Sequence, residues 1–301
     1  MKTIKFIYIG IATALFTACA DKNADYDASG TFEATEIVVS SEVNGKILEF
    51  NVQEGTTLQQ GQTVGTIDSV QLFLRKKQLQ KNIEAIKSRQ PETQKQIAVI
   101  EQQISTQKRE KQRFHNLVQA NAANQKQMDD INAQIAVLEK QLEAQKSSLS
   151  ITTKGINEDA STLDIQIEQI NDQLKKCRII NPINGTVLVK YAEANELALP
   201  GKALYKIADI ENMIFRAYIT SDLLTKLKIG QEVKVFADFG EETRAYKGKI
   251  EWISSKSEFT PKTIQTKDER ANLVYAVKIA VKNDGFLKIG MYGAVQLTMD
   301  N

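Results

Sequence analysis

Few residues in this chain have the side chains and spacing to carry covalent or acid–base chemistry. Its 301 residues include one histidine, His115, and two cysteines, Cys19 and Cys177. A lone histidine nearly excludes a His-based metal site or a Ser-His-Asp triad, and two cysteines cannot make a disulfide scaffold. The sequence shows no paired carboxylates, nucleophile elbow or phosphate-binding loop, so neither an enzyme nor a cofactor or metal is expected. With 39 basic and 37 acidic residues the formal charge is +2. That balance is too even for a nucleic-acid binder, which would carry a basic stripe.

Cys19 is the residue whose setting is most specific. Lys2 and Lys5 precede an almost wholly apolar run of 11 residues, Phe6 to Phe16, and then Thr17-Ala18-Cys19. A run this short suits a secretory signal peptide, since a spanning helix needs about 20 residues. A cysteine directly after small residues makes 1–18 similar to a bacterial lipoprotein signal, in which Cys19 becomes the acylated amino terminus. Phe16 stands where such signals most often have leucine. The plain alternative is a secreted protein in which Cys19 is incidental. Several acyl chains together hold a protein stably on a membrane, whereas one binds marginally. Removing the signal takes away Lys2 and Lys5 and no acid, which leaves 37 charges of each sign. Residues 19–30 follow as a polar, flexible tether.

The elements that must position the rest are marked by the glycines. None of the 15 lies between Gly65 and Gly155, and that stretch holds a single proline, Pro91. On either side of it the sequence repeats at an offset of 140: Val43-Asn44-Gly45-Lys46-Ile47-Leu48 matches Ile183-Asn184-Gly185-Thr186-Val187-Leu188. Without a gap, Gly61 then falls on Gly201 and Ile67 on Ile207. Gly55 falls on Asn195, the commonest non-glycine choice where φ must be positive. Each copy is a turn, a short strand, a polar turn and a second strand, with turns expected at Gly45, Gly55 and Gly61 and at Gly185, Asn195 and Gly201. Two copies suggest a small symmetric β-sandwich. The pattern resembles the biotinyl/lipoyl fold split into half-motifs, 31–68 and 177–209. The resemblance stops short of carrier chemistry, because no Met-Lys-Met or Asp-Lys-Ala occurs at the junction.

Residues 69–176, inserted where the carrier hairpin would be, carry helical periodicity. Leu79, Ile83, Ile86, Ile97, Ile100 and Ile104 step by threes and fours within each run, as do Ile131, Ile135, Leu138, Leu142, Leu163, Ile167, Ile170 and Leu174. That is a coiled-coil seam. Because both half-motifs must reunite in one sandwich, the insert must return to its origin, which demands two antiparallel arms. The midpoint falls at the polar stretch 120–124. Each arm then has about 53 residues and reaches roughly 80 Å. Pro91 and Gly155 lie at similar heights, where they predict either a joint bend or fraying of both arms. Cys177, at the end of the second arm, is expected as a small buried apolar residue.

From 210 to 301 the periodicity is that of strands, with one short helix near Ser221–Leu227 capped by Ser221 or Asp222, and predicts a small β-barrel. The strand Thr31 to Ser40 is expected to link barrel and sandwich, and Trp252 to be core. The fold class is therefore mixed: a long antiparallel α-helical coiled-coil hairpin inserted in a split lipoyl-like β-sandwich, followed by the barrel.

This order of parts resembles the HlyD-type membrane fusion proteins, the periplasmic adaptors, in lipoprotein form. The resemblance implies an adaptor that bridges an inner-membrane transporter and a TolC-like outer-membrane channel, and a homo-oligomer in a ring. It implies a lipid anchor in the inner membrane of a Gram-negative bacterium, facing the periplasm. The short C-terminal region leans towards an ABC transporter over a proton-driven pump. Relatives that dock onto TolC-type channels carry, at the hairpin tip, an arginine, a leucine four later and a serine seven after that. Arg113, Leu117 and Asn124 stand at that spacing here, with asparagine in place of serine. Arginine would supply charge-assisted hydrogen bonds and leucine an apolar plug. Alternatively Arg113 is an ordinary solvated residue and Leu117 part of the seam. His115, beside them, is expected to be solvated. A structural coiled-coil lipoprotein without an export role is the competing function.

Overall fold

The computed structural model describes residues 26–240, 242–259 and 273–297. Cys19, the signal segment and most of the tether lie outside the described residues.

Thirteen strands and four helices are ordered along the described chain. Strand β1 is Ala28–Ser40, so the last three residues of the expected tether are strand instead. The first half-motif supplies β2 (Gly45–Phe50), β3 (Thr57–Leu58) and β4 (Thr63–Ile67). Helices α1 (Val70–Lys87), α2 (Thr93–Gln119) and α3 (Gln125–Lys176) follow. Then come β5 (Arg178–Ile180), β6 (Gly185–Lys190), β7 (Leu197–Ala198) and β8 (Ala203–Thr220).

The 140-residue repeat is carried through into the hydrogen bonds. β2 pairs with β7 through Gly45↔Ala198, and β6 with β3 through Gly185↔Leu58, so each half donates a strand to the other. Gly55 N–H donates to the Val187 carbonyl at 2.8 Å and Asn195 N–H to that of Ile47 at 2.7 Å. Gly61 N–H reaches Asn181 O and Gly201 N–H reaches Ser41 O, both at 2.8 Å. Gly55 has φ 80° and Asn195 has φ 74°, the left-handed conformation that only glycine and asparagine adopt readily.

Gly45 and Gly185 are not turn residues as expected; they open strands β2 and β6. What they provide is close approach. A Cβ on Gly185 would lie 2.4 Å from the Ala208 carbonyl oxygen, and one on Gly45 would lie 2.7 Å from Ile67 Cγ2 and 3.1 Å from the Asp68 carbonyl oxygen. Ile47, Val64, Ile67, Val187, Leu204 and Ile207 form the sandwich core.

Two buried polar residues at equivalent places brace the sandwich. Ser41 Oγ donates to Val43 O at 2.6 Å, and Asn181 Nδ2 donates to Ile183 O and, at 2.9 Å, to Gln59 O. The Tyr205 hydroxyl, fully buried, donates to Asn181 Oδ1 at 3.0 Å. Burial pushes this phenol up to about 12. An unfolded tyrosine ionises near 10, so between pH 10 and 12 the unfolded chain releases a proton that the folded chain keeps. Stability should therefore be fully present below pH 10 and fall by roughly 2–3 kcal/mol as pH rises to 12. Urea midpoints at pH 8 and 11 check this, and Tyr205→Phe should flatten the decline.

β1 and β8 are each one continuous strand running from the sandwich into the barrel, paired with each other along most of their length. The boundary expected at 209/210 thus falls inside β8, and the two modules share a two-stranded spine. Beyond α4 (Ser221–Leu224) lie β9 (Glu232–Asp238), β10 (Thr243–Ile253), β11 (Glu258–Phe259), β12 (Leu273–Lys282) and β13 (Tyr292–Gln296). The pairing β12–β10–β9–β13–β1–β8 returns to β12 and closes a six-stranded barrel. Phe32, Phe215, Val235, Ile250, Ile279 and Val295 are fully buried inside it. The N-cap of α4 is Thr220, and neither Ser221 nor Asp222 caps it.

Trp252 is not core: it is 42% exposed. A bulge between Ile250 and Trp252 in the β10–β12 pairing puts consecutive residues outside after the buried Ile250, and Lys278 stacks over the indole at 5.5 Å.

Candidate functional site: the hairpin and its tip

The three long helices form two antiparallel arms. Lys108 pairs with Glu139 at 2.8 Å, Glu101 with Lys146 at 3.0 Å, and Gln96 with Gln145 at 3.1 Å, so one arm descends as the other climbs. These exposed pairs set register more than stability. Stability comes from the seam, where Ile83, Ile104, Met128, Ile135, Leu138 and Ile170 are buried. The 52-residue α3 is about 78 Å long at 1.5 Å per residue.

The two arms respond differently at Pro91 and Gly155, where a joint bend or fraying of both arms is expected from sequence. The first arm breaks: residues 88–92 are non-helical, and α1 ends with Arg89 and Gln90 N–H groups turning back to Ile86 and Lys87 carbonyls. Pro91 has no N–H to continue the helical ladder. The second arm is not interrupted at Gly155, which lies inside the continuous α3. Glycine keeps its N–H and so weakens a helix without interrupting it. The seam adjusts instead, stepping by four twice, Leu149 to Thr153 being one step longer than the three-four alternation.

The turn at 120–124 is built from two helix caps. At the end of α2, Ala122 N–H donates to Leu117 O at 2.8 Å and Asn121 N–H to Val118 O at 3.0 Å, with Asn121 at φ 56°. This pair of hydrogen bonds with a left-handed asparagine is a Schellman motif. Asn124 begins α3: its Oδ1 accepts from Lys126 N–H at 3.0 Å, and the Gln127 side chain returns to the Asn124 N–H, completing a capping box.

Arg113, Leu117 and Asn124 therefore share one end of the hairpin but have different surroundings. Arg113 is exposed, 3.4 Å from Glu110, with its guanidinium 5.6 Å from the Phe114 ring centre. Leu117 is half-buried and its carbonyl is held by the cap. Asn124 is exposed and occupied as an N-cap. Serine and asparagine are both preferred N-caps, which gives a local reason for either at this position. Asn124→Ala should cost about 1 kcal/mol and speed hydrogen exchange at Lys126, whereas Asn124→Ser should change it by only a few tenths. His115 is exposed and shares a 3.0 Å hydrogen bond with Gln119. Cys177 is buried at the hairpin base, and burial, with Asp68 nearby, raises its thiol.

A hairpin is thus threaded through a two-fold sandwich that shares β1 and β8 with a closed barrel. Residues 35–208 match the family described as RND MFP, barrel-sandwich hybrid domain, and the chain belongs to this membrane fusion protein family. Among curated proteins, the UPF0194 membrane protein YbhG of Salmonella arizonae is 34% identical over 119 residues, 39% of this chain and 36% of that protein. The UPF0194 membrane protein Ent638_1286 of an Enterobacter species is 34% identical over 114 residues. These matches span about a third of each relative's length.

Among solved structures, MacA from Actinobacillus actinomycetemcomitans aligns with TM-score 0.50 and 20% identity, over 89% of this chain and 76% of that one. A MacA–MexA chimera carrying the Pseudomonas aeruginosa MexA α-hairpin aligns with TM-score 0.53 and 22% identity, over 91% and 81%. Both share the fold.

One feature of the barrel has a sequence signal that the 140-residue repeat overshadows. Leu227-Lys228-Ile229-Gly230 recurs as Leu287-Lys288-Ile289-Gly290. Four residues are a faint repeat, visible as such once both copies stand at the entrance to a barrel strand.

Proposed function

We propose that the chain is a non-enzymatic periplasmic adaptor of an export complex, bridging an inner-membrane transporter and a TolC-like outer-membrane channel. The observation that carries this reading is the hairpin: a two-armed rod of about 80 Å, capped at its free end and rooted in the sandwich. Arg113 and Leu117 are the docking residues, and Asn124 holds the turn that presents them. The β-modules, at the opposite end of the molecule from the tip, engage the transporter. Cys19, acylated, anchors the chain in the inner membrane.

A ring of copies is supported by apolar side chains outside the seam. Val99, Val137, Ile151 and Ile165 are all at least half exposed in the single chain, in positions a neighbouring hairpin can cover. Gentle solubilisation and affinity purification of the tagged chain should bring down both an inner-membrane transporter and an outer-membrane channel. The transporter's own sequence then reads out whether it is of the ABC or the proton-driven class. Recovery of neither, with normal export in a deletion strain, would favour the structural lipoprotein.

A further inference from the structure

The repeated Leu-Lys-Ile-Gly segments close the two ends of the barrel. All six barrel strands are antiparallel to their neighbours, so the starts of β1, β9 and β12 lie at one end with the finishes of β8, β10 and β13. Residues 221–231 run from the finish of β8 to the start of β9, which are not neighbours, and so cross that end. Residues 283–291 likewise cross the opposite end, from β12 to β13, on the side where β1 and β8 pass into the sandwich.

The two crossings are built alike. Gly230 N–H donates to Ile250 O at 2.8 Å and Gly290 N–H to Phe32 O at 2.7 Å, with φ 90° and 85°. Leu227 and Leu287 point into the barrel core. The isoleucines differ: Ile229 is 69% exposed and Ile289 38%.

The chain enters the barrel at the Ile229 end. Tyr26 and Asp27 lead into β1 there, and Asp27 Oδ2 accepts from Leu297 N–H at 2.7 Å. Seven residue steps separate Cys19 from Tyr26, at most about 25 Å of extended chain. On the reading that Cys19 is acylated, on which this inference rests, the Ile229 end is held within that distance of the bilayer. Among the described residues, the 221–231 crossing presents there an isoleucine at the tip of a tight turn, flanked by exposed Lys226 and Lys228, with exposed Asp222 a turn earlier.

We propose that this barrel end rests on the lipid surface. Ile229 enters the boundary between headgroups and acyl chains, and Lys226 and Lys228 lie along it with their ammonium groups at headgroup phosphates. The acyl chains supply the attachment; the turn fixes which way up the adaptor stands, with the sandwich and hairpin pointing away from the membrane.

The test places an environment-sensitive nitrobenzoxadiazole probe on Ile229→Cys or, as the control turn, on Ile289→Cys. Cys177 is buried and stays unlabelled. The labelled chain is held on phosphatidylethanolamine–phosphatidylglycerol vesicles through its own acyl chains. In parallel, a Cys19→Ser chain carrying a histidine tag at that terminus is held on the same vesicles doped with nickel-chelating lipid. Intact mass reports acylation separately, so failure of the anchor reading is distinguishable from failure of this one. A blue shift and gain of emission at 229 and not at 289, in the nickel-tethered chain as in the acylated one, is the expected result. A probe at 229 that stays in water, or shifts equally at 289, overturns the proposal. A shift at 229 that needs an added transporter overturns it too, and makes this end a protein-docking surface.

Discussion

Arg113→Asp is expected to abolish export while leaving the protein folded, acylated and abundant. Arg113 lies on an exposed face of α2, and its contacts are a 3.4 Å approach to Glu110 and a stack over Phe114. Losing an exposed pair of this kind costs at most about 0.5 kcal/mol, and a new aspartate three residues from Glu110 adds a similar repulsion. The fold can absorb both. A docking contact cannot absorb the charge reversal, because the acceptor groups that Arg113 would meet on a channel would then face a carboxylate. Thermal melting and export measured on the same variant separate the two effects. Export at the unsubstituted level would make Arg113 an ordinary surface residue.

The largest structural effect is expected at Gly30. It sits in β1 opposite both Ala217 of β8 and Gly293 of β13. A Cβ there would lie 2.0 Å from the Arg216 carbonyl oxygen and 2.8 Å from Ala217 Cα, both backbone atoms. A side-chain neighbour could rotate away, but a closed barrel has no free edge along which β8 could retreat. Gly30→Ala should therefore cost more than about 4 kcal/mol, in the range reserved for strain that a fold cannot relieve. Gly155 is the counter-case. Nothing lies within 4 Å of a Cβ at that position, and it is mid-helix. Gly155→Ala should raise stability by about 0.5–1 kcal/mol. The two alanines, compared by denaturant titration, should move in opposite directions.

Where the sequence was legible, a physical constraint reached beyond local propensity. The 140-residue offset is informative because a two-fold sandwich needs the same turn chemistry twice, which pairs Asn195 with Gly55. The hairpin tip at 120–124 followed from closure, since the half-motifs had to meet. Three features were hidden, each for its own reason. Gly155 reads in the sequence as a bend or a frayed turn because a glycine resembles a break in a helical pattern, but only proline removes a donor and α3 runs on unbroken. Trp252 reads as core because strand alternation assumes an unbroken register, and a bulge cannot be seen from residue types. Gly45 and Gly185 read as turn residues because a close backbone approach and a positive φ both select glycine.

The tip itself was half legible. Its position and the Arg113, Leu117 and Asn124 spacing could be read. That Asn124 is held by Lys126 and Gln127 could not, because capping depends on a helix start resolved to the residue.

Bridging through the tip is most directly tested with a photoreactive benzoylphenylalanine at position 117 in growing cells, with position 154, mid-way along α3, as control. Irradiation should give an adduct of the adaptor with a TolC-type outer-membrane channel from position 117 and none from 154. Adducts from 117 with the adaptor alone, or none with any outer-membrane protein, would contradict the account.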